Sequence, residues 1–287
     1  VKYNFATTIP REGTDCVKYD LRGAIFGRKD VIPMWVADMD FAVPPFVADA
    51  VKKRAEHTIY GYSIIPDSYH EAVIAWQKKR YDWNLKQAWI MFSPGVVTGL
   101  NVIVQAMTEP GDKVIVQPPV YFPFFSCVKN NGRELLLNQL VEKDGIYTID
   151  FDDLERKMKT GAKMMILCSP HNPVSRCWTR EELEWIGKKS LEYGVLIVSD
   201  EIHCDLVFKP NTHIPFATIS DDIAMNTITC IAPSKTFNLA GLFTSSVIIP
   251  NETLRRKFQV AAEQTHLSAN IFGITAAEAA YREGEEW

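Results

Sequence analysis

The chain has 287 residues, and its 31 lysines and arginines against 35 aspartates and glutamates give a formal net charge of −4. This slightly acidic balance argues against a general nucleic-acid-binding protein. Hydrophobic residues make up 47% of the sequence and charged residues 23%, which is typical of a globular protein and excludes extensive disorder. No apolar run approaches the ~18 residues that a membrane span requires, so we expect no membrane partner.

The first 46 residues are predicted to form an arm or part of a second domain, and residues 47–287 are predicted to form one large domain. The arm is rich in turn-forming residues except for the apolar segment 32–36, which precedes Asp38 and Asp40. These two carboxylates could form an acid/base pair, but a structural role in a loop is the favoured interpretation. We therefore expect the catalytic groups in the larger part.

From about residue 90 onward, short apolar runs alternate with amphipathic stretches. The runs predict strands at residues 113–117, 163–168, 195–199, 227–231 and 244–249. The amphipathic stretches predict helices at residues 97–107, 151–158, 179–193 and 253–264. Thr179 and Glu182 match the capping-box pattern at the start of the third of these helices. The alternation is typical of an α/β fold with a mostly parallel sheet sandwiched between helices.

Chemically useful side chains follow three of the predicted strands. Asn172 follows the strand at 163–168, Asp200 and His203 follow the strand at 195–199, and Ser234 and Lys235 follow the strand at 227–231. Ligands of open α/β sheets bind at the carboxyl ends of the strands, so we expect an amide, a carboxylate and an amine at one edge of the sheet.

An earlier segment, residues 93–99, has the sequence Ser-Pro-Gly-Val-Val-Thr-Gly and opens a predicted helix. The free N–H groups and the positive dipole end of that helix suit a phosphate. Together these groups match the needs of pyridoxal phosphate: a lysine for a Schiff base, a carboxylate that keeps the ring nitrogen protonated, and donors for the phosphate. Lys235, Asp200 and the helix start provide all three.

Sequence blocks along the whole chain make it similar to the class I/II aminotransferase superfamily of fold-type I pyridoxal phosphate enzymes. Within that superfamily, it most resembles the MalY/PatB-like branch of cystathionine β-lyases, or C–S lyases. The matching blocks are Trp35-Val36-Ala37-Asp38-Met39-Asp40-Phe41, Tyr60-Gly61-Tyr62, Ser93-Pro94-Gly95-Val96-Val97, Pro118-Pro119-Val120-Tyr121, Ser169-Pro170-His171-Asn172-Pro173, Asp200-Glu201-Ile202-His203-Cys204-Asp205 and Pro233-Ser234-Lys235-Thr236-Phe237-Asn238-Leu239-Ala240-Gly241.

The resemblance implies a role for each matching residue. Lys235, Asp200 and Tyr121 would be the catalytic residues, with Lys235 bonded to the cofactor, Asp200 paired with the ring nitrogen and Tyr121 stacked on the ring. The other implied cofactor contacts are Asn172 at the phenolic oxygen, Val96, Val97 and Ser234 at the phosphate, His203 near the cofactor, and Tyr62 at the phosphate of a partner subunit. For Tyr60, a role as a core or interface aromatic is favoured over cofactor contact.

Two positions depart from the aminotransferase pattern. His203 stands where those enzymes usually have Tyr, and Phe243 stands where they usually have a phosphate-binding Arg. Both departures resemble the lyase branch. They leave the phosphate with one cation fewer, so more of its binding must come from backbone amides and hydroxyls. A metal at His203 and Cys204 is not expected, because no second cluster has ligand spacing.

The resemblance implies a β-lyase that cleaves cystathionine or cysteine S-conjugates to a thiol, pyruvate and ammonia. A class I/II aminotransferase is the alternative on the same fold, and a non-catalytic regulatory binding protein is a more remote one. A homodimer that shares its active sites between subunits is also implied. Family members run further, so the chain is expected to stop in an interdomain helix, with most of a small C-terminal domain and its carboxylate-binding arginine beyond Trp287.

Six cysteines are distributed without a CxxC pair or regular spacing: Cys16, Cys127, Cys168, Cys177, Cys204 and Cys230. A chain of this length does not need disulfides for its core, so the pattern favours a reducing compartment and a cytoplasmic location. The first twenty residues lack the apolar segment of a secretory signal. Because the first residue is Val1 rather than Met, an address at the extreme N-terminus stays open.

Overall fold

A computed structural model describes residues 3–287, with a seven-stranded sheet at its centre. The strands are β1 (Ile90–Ser93), β2 (Lys113–Val116), β3 (Glu134–Leu137), β4 (Val141–Lys143), β5 (Ile146–Thr148), β6 (Met164–Cys168), β7 (Leu196–Asp200), β8 (Thr227–Ile231) and β9 (Ser245–Ile248). Their order in the sheet is β1-β9-β8-β7-β6-β2-β3, and β4 pairs with β5 in a separate hairpin. Within the large sheet, only the pairs that include β9 are antiparallel.

Helices cover both faces of this sheet. They are α1 (Val17–Asp20), α2 (Arg22–Phe26), α3 (Pro45–Ala55), α4 (Asp67–Tyr81), α5 (Val96–Met107), α6 (Pro123–Lys129), α7 (Phe151–Lys159), α8 (Arg180–Tyr193), α9 (Asp221–Met225), α10 (Pro233–Thr236), α11 (Glu252–Gln264) and α12 (Ile271–Glu283). The predicted α/β fold with a mostly parallel sheet sandwiched between helices is confirmed.

The core is divided by the sheet, because successive residues of a strand point to opposite faces. Val114 and Val116 of β2 pack with α5, α6 and α11 on one face, whereas Ile115 packs with α7 and α8 on the other. A third apolar cluster joins α3, α4 and α12 to the β1–β9 edge. Burial on both faces explains why the central strands read as continuous apolar runs.

The structure agrees with the predicted strands and helices to within one or two residues at each end. The predicted capping box is present, since the Thr179 hydroxyl accepts from the Glu182 N–H at 3.2 Å and the Glu182 carboxylate accepts from the Thr179 N–H at 2.7 Å. Strands β1, β3, β4 and β5 and helices α1, α2, α3, α4, α6, α9 and α10 had no predicted range. The predicted boundary between residues 46 and 47 falls inside α3.

The N-terminal arm is held by ion pairs and by one asparagine. Asp38 accepts from Arg11 at 2.5 Å, and Asp40 accepts from Arg11 at 2.7 Å and from Lys18 at 2.8 Å. The Asn238 side chain accepts from the Met39 N–H at 2.9 Å and donates to the carbonyls of residues 39 and 41, both at 3.0 Å. The carboxylates of the arm therefore have the structural contacts that were favoured for them.

Two features are absent from residues 3–287. No helix in this range is long and apolar enough to cross a membrane. The same residues contain no group of three or more His, Cys, Asp or Glu side chains that could hold a metal ion.

Candidate active site

The carboxyl ends of β6, β7 and β8 lie side by side and bring the predicted site together. Cys168 of β6, Asp200 of β7 and Cys230 of β8 are in register across the three parallel strands. Asn172 follows β6, and Lys235 lies on the short helix α10 that follows β8. The amide, the carboxylate and the amine therefore reach the same edge of the sheet, as the strand order required.

Asp200 ends β7 in an apolar environment with little compensation for its charge. Its side chain is buried, and one carboxylate oxygen accepts from the Ile202 N–H at 3.1 Å. Burial, with a smaller contribution from the neighbouring Glu201, raises the pKa of this carboxyl to about 7, although the Ile202 N–H and Lys235 oppose the shift. A cation next to Asp200 would restore the ionised form.

Lys235 points from α10 towards the arm. Its Nζ donates to the carbonyl of Ala37 at 3.0 Å. Partial burial lowers the pKa of the Lys235 amine, although Asp38 and Asp200 oppose that effect. A lowered pKa leaves more of the neutral amine, which is the form that attacks an aldehyde.

Tyr121 and Asn172 are joined through their backbones beside Asp200. The Tyr121 N–H donates to the Asn172 carbonyl at 3.0 Å, and the Asn172 N–H donates to the Cys168 sulfur at 3.3 Å. Tyr121 is 38% exposed, and its ring contacts the rings of Phe122 and Phe124. Burial and the charge of Asp200 raise the pKa of its hydroxyl, which keeps the ring neutral.

His203 lies within electrostatic range of Lys235. Burial and the charge of Lys235 lower the pKa of His203 to about 4, so its imidazole is neutral near pH 7. Ser234 precedes Lys235 on α10 and is half-buried. The cofactor contacts of His203 and Ser234 stay predictions.

The amino end of α5 provides backbone donors at the same side of the sheet. Gly95 is the N-cap, and no side chain caps the first turn that Val96 and Val97 begin. The Ser93 hydroxyl instead donates to the Gly95 carbonyl at 2.9 Å. The N–H groups of this turn are therefore available for an anion, and a phosphate site there stays a prediction.

Tyr62 and Phe243 are exposed. Tyr62 is fully exposed, and no hydrogen bond or ring contact among residues 3–287 joins it to the other predicted site residues. The Phe243 side chain is 62% exposed, and its backbone is left-handed, with φ of 46°. Tyr60 donates to the Ala55 carbonyl at 2.9 Å and packs on Phe272, which is the non-cofactor role favoured for it.

The sequence did not predict a buried ion pair directly behind Asp200. Glu201 accepts from His213 at 2.8 Å, from the Ser199 hydroxyl at 2.8 Å and from the Phe216 N–H at 2.9 Å. Burial alone would lower the pKa of His213, but Glu201 outweighs it and raises the pKa to about 9. His213 lies on an irregular segment without periodicity, so no sequence signal marked the pair.

This fold and this edge of the sheet define a class of protein. The model of the family "Aminotransferase class I and II" matches residues 29–285, and the chain belongs to that family. The chain is 50% identical over 286 residues to the cystathionine β-lyase PatB of Bacillus subtilis, covering 99% of this chain and 74% of PatB.

Two solved structures are similar along the whole chain. Cystalysin from Treponema denticola, described as containing a pyridoxal 5'-phosphate cofactor, superposes with a TM-score of 0.96 at 38% identity, covering 100% of this chain and 74% of cystalysin. The pyridoxal phosphate-bound C–S lyase from Staphylococcus hominis gives a TM-score of 0.93 at 37% identity and covers 100% and 72% of the two chains.

Proposed function

We propose that the chain is a pyridoxal phosphate-dependent C–S β-lyase that cleaves cystathionine or related cysteine S-conjugates. The observation that carries this proposal is 50% identity to a cystathionine β-lyase over 286 residues. The geometry of the sheet edge supports it, because a buried carboxylate, a lysine with a lowered pKa and an uncapped helix start meet there.

The residues at this edge fit the cofactor. Asp200 has a pKa raised to about 7 because it lacks compensating charge, and a protonated ring nitrogen would supply it. Lys235 would hold the aldehyde carbon, Asn172 the phenolic oxygen, and Val96, Val97 and Ser234 the phosphate. When bound, pyridoxal phosphate supplies a carbonyl that bonds to amines and a ring that takes up electrons from the substrate.

Lys235 is the base in the proposed reaction. Once the substrate amine had displaced it from the cofactor, its Nζ would be free to remove the α-proton. Asp200 would hold the proton on the ring nitrogen, and the electron pair left at the α-carbon would form a Cα–Cβ double bond as the sulfur leaves as a thiolate with the electrons of the Cβ–S bond. His203 stays neutral next to Lys235, so it does not add a second positive charge that would oppose protonation of the amine.

The decisive experiment is incubation of the purified protein with cystathionine in the absence of a keto acid. A lyase forms homocysteine, pyruvate and ammonia under these conditions. An aminotransferase, which the family match keeps as the second candidate, needs a keto-acid acceptor and releases no thiol. Turnover that depends on an acceptor and yields no thiol would overturn the lyase assignment in favour of the second candidate.

We also propose that the protein is a homodimer in which Tyr62 reaches the cofactor phosphate of the partner. Tyr62 is fully exposed, and Ile59 and Ile64 beside it are 71% and 84% exposed. An exposed apolar segment of this kind is typical of an interface.

Mixed dimers test this arrangement. In a dimer of one Lys235→Ala subunit and one Tyr62→Phe subunit, a shared site predicts one intact site, because its Lys235 and Tyr62 come from different subunits. About half of the wild-type cofactor occupancy should then return. If Tyr62 serves its own subunit, both sites stay defective, and no recovery follows.

A cytoplasmic location completes the proposal and rests on the six free cysteines.

A further inference from the structure

The buried carboxylate of Asp205 lies next to α10, the short helix that carries Lys235, and has no role in the reaction proposed above. Asp205, whose side chain is 5% exposed, follows β7 by five residues. One of its oxygens accepts from the Tyr81 hydroxyl at 2.5 Å, and the other accepts from the Thr236 hydroxyl at 2.8 Å. The Trp76 indole N–H is 3.2 Å from both oxygens, and the Arg80 Nε lies at 3.5 Å.

These bonds join three elements of the fold. Trp76, Arg80 and Tyr81 belong to α4, Asp205 belongs to the segment that continues from Asp200, and Thr236 belongs to α10. Since α10 has only four residues, it has little rigidity of its own. The Asp205–Thr236 bond is therefore a direct link between α10 and the segment that begins at Asp200.

Thr236 is next to Lys235, so a bond to its hydroxyl restrains the residue that carries the amine. We propose that Asp205 is a positioning residue that acts through Thr236 to hold Lys235 at a fixed distance from Asp200. The inference rests on the proposed role of Lys235 as the cofactor lysine. Asp205 itself does not touch the reacting atoms, and α4 holds its carboxylate in place from behind.

Positioning of this kind should affect cofactor retention and the chemical step more than substrate binding. A reactive group that moves by about 1 Å can lose two orders of magnitude in rate, while contacts elsewhere in the site stay unchanged. A purely structural bond would lower thermal stability and leave both properties of the folded protein unchanged.

The test compares three variants of the purified protein. Thr236→Val removes the hydroxyl with little change in shape, and Thr236→Ser restores it. Thr227→Val is the matched control, because Thr227 is buried at the opposite end of β8 and its hydroxyl donates to the Ile223 carbonyl at 2.6 Å. Each variant is measured for its dissociation constant for pyridoxal phosphate, the share of cofactor that borohydride fixes to Lys235, kcat and KM on cystathionine, and Tm.

Thr236→Val should weaken cofactor binding and lower kcat about tenfold each, with KM within about twofold of wild type. Thr236→Ser should return both properties to within about twofold. Thr227→Val should lower Tm as much as Thr236→Val does, but should leave cofactor binding and kcat within about twofold.

Equal behaviour of the two valine variants, or failure of Thr236→Ser to restore binding, would overturn the positioning role. These outcomes differ from failure of the proposed function. In that case the wild-type protein itself would carry its cofactor on another lysine, which would overturn both proposals, or would hold it on Lys235 without releasing thiol. In the latter case, cofactor binding alone still decides whether Asp205 positions Lys235.

Discussion

Asp200 and Glu201 are adjacent carboxylates at the end of the same strand, yet their surroundings differ completely. Glu201 has three donors within 2.9 Å, one of which is a histidine with a raised pKa. Asp200 has one backbone N–H, and burial raises its pKa to about 7. A fully satisfied buried carboxylate stabilises the fold, whereas an incompletely satisfied one is prepared for a ligand. Two adjacent residues therefore differ in role: Glu201 stabilises the fold, and Asp200 is available to a ligand.

The largest expected effect comes from Asp200→Asn. The amide keeps the shape and the bond from the Ile202 N–H but cannot hold a proton on the cofactor's ring nitrogen. We expect kcat/KM on cystathionine to fall by about 10²–10³, because a preorganised charge at the reacting system is lost. The Tm of the cofactor-free protein at pH 8 should stay the same or rise, because a poorly compensated buried charge is removed. A marked fall in that Tm would assign Asp200 a structural role.

Glu201→Gln, the same type of change at the adjacent residue, should lower stability and leave activity nearly unchanged. A neutral amide no longer stabilises the positive charge on His213, and bonds to charged partners contribute about 1.5–3 kcal/mol. We expect unfolding in urea to show a loss of about 2–3 kcal/mol, with kcat changed by less than about threefold. Glu192→Gln is the control, since the Glu192–Lys189 pair is on the surface and should change stability by less than about 1 kcal/mol.

Asp200 and His213, the partner of Glu201, should also lose their contributions to stability in different pH windows. The pKa of Asp200 in the folded, cofactor-free protein is about 7, against an ordinary value of 3.8. The folded state therefore holds this proton more tightly, and the stability gained is complete below pH 3.8 and is lost as the pH rises through 7. The Tm difference between wild type and Asp200→Asn should decline over that range, and a constant difference would contradict the raised pKa.

In the Glu201–His213 pair, the group that titrates is His213, whose pKa is raised from 6.5 to about 9. Its contribution is complete below pH 6.5 and is lost as the pH rises through 9. The Tm difference between wild type and His213→Gln should therefore stay flat from pH 5 to 6 and decline above pH 7.

The smallest effect is expected for Ser199→Ala. This change removes one of the three donors to Glu201 and leaves His213 and the Phe216 N–H in place. A single hydrogen bond of this type contributes about 1 kcal/mol, which urea unfolding can measure. Pyridoxal phosphate binding should not change; if it did, the two carboxylates would be coupled more closely than their contacts indicate.

The positions of Asp200, Asn172 and Lys235 could be predicted because each follows a buried strand that reads as an apolar run. Parallel strands bring their carboxyl ends to one edge, so local patterns were enough to place groups from distant segments together. Edge strands β1 and β3 are short and partly exposed, with no clear alternation, and α4 carries many charged residues among its buried ones. These elements owe their structure to packing, which periodicity does not record.

The ion pair of Glu201 and the contacts of Asp205 could not be predicted for a related reason. His213 lies in an irregular segment, and Tyr81 is 124 residues from Asp205 along the chain. Both become partners only after the helices have packed on the sheet. The aspartate in the Asp200–Asp205 block was visible in the sequence, but nothing indicated that it faces α4 and α10.

The contacts between Asn238 and the N-terminal arm must form late, because the two segments are far apart in the sequence. Asn238, whose backbone is left-handed with φ of 59°, forms hydrogen bonds with Met39 and Phe41, which precede it by 199 and 197 positions. A contact of such long sequence separation carries a large entropic cost of closure and forms late. During translation, the arm leaves the ribosome long before its acceptor exists. Ile32 and Met34 are almost fully exposed even in the folded chain, and they are also exposed on the growing chain throughout the period before the arm docks.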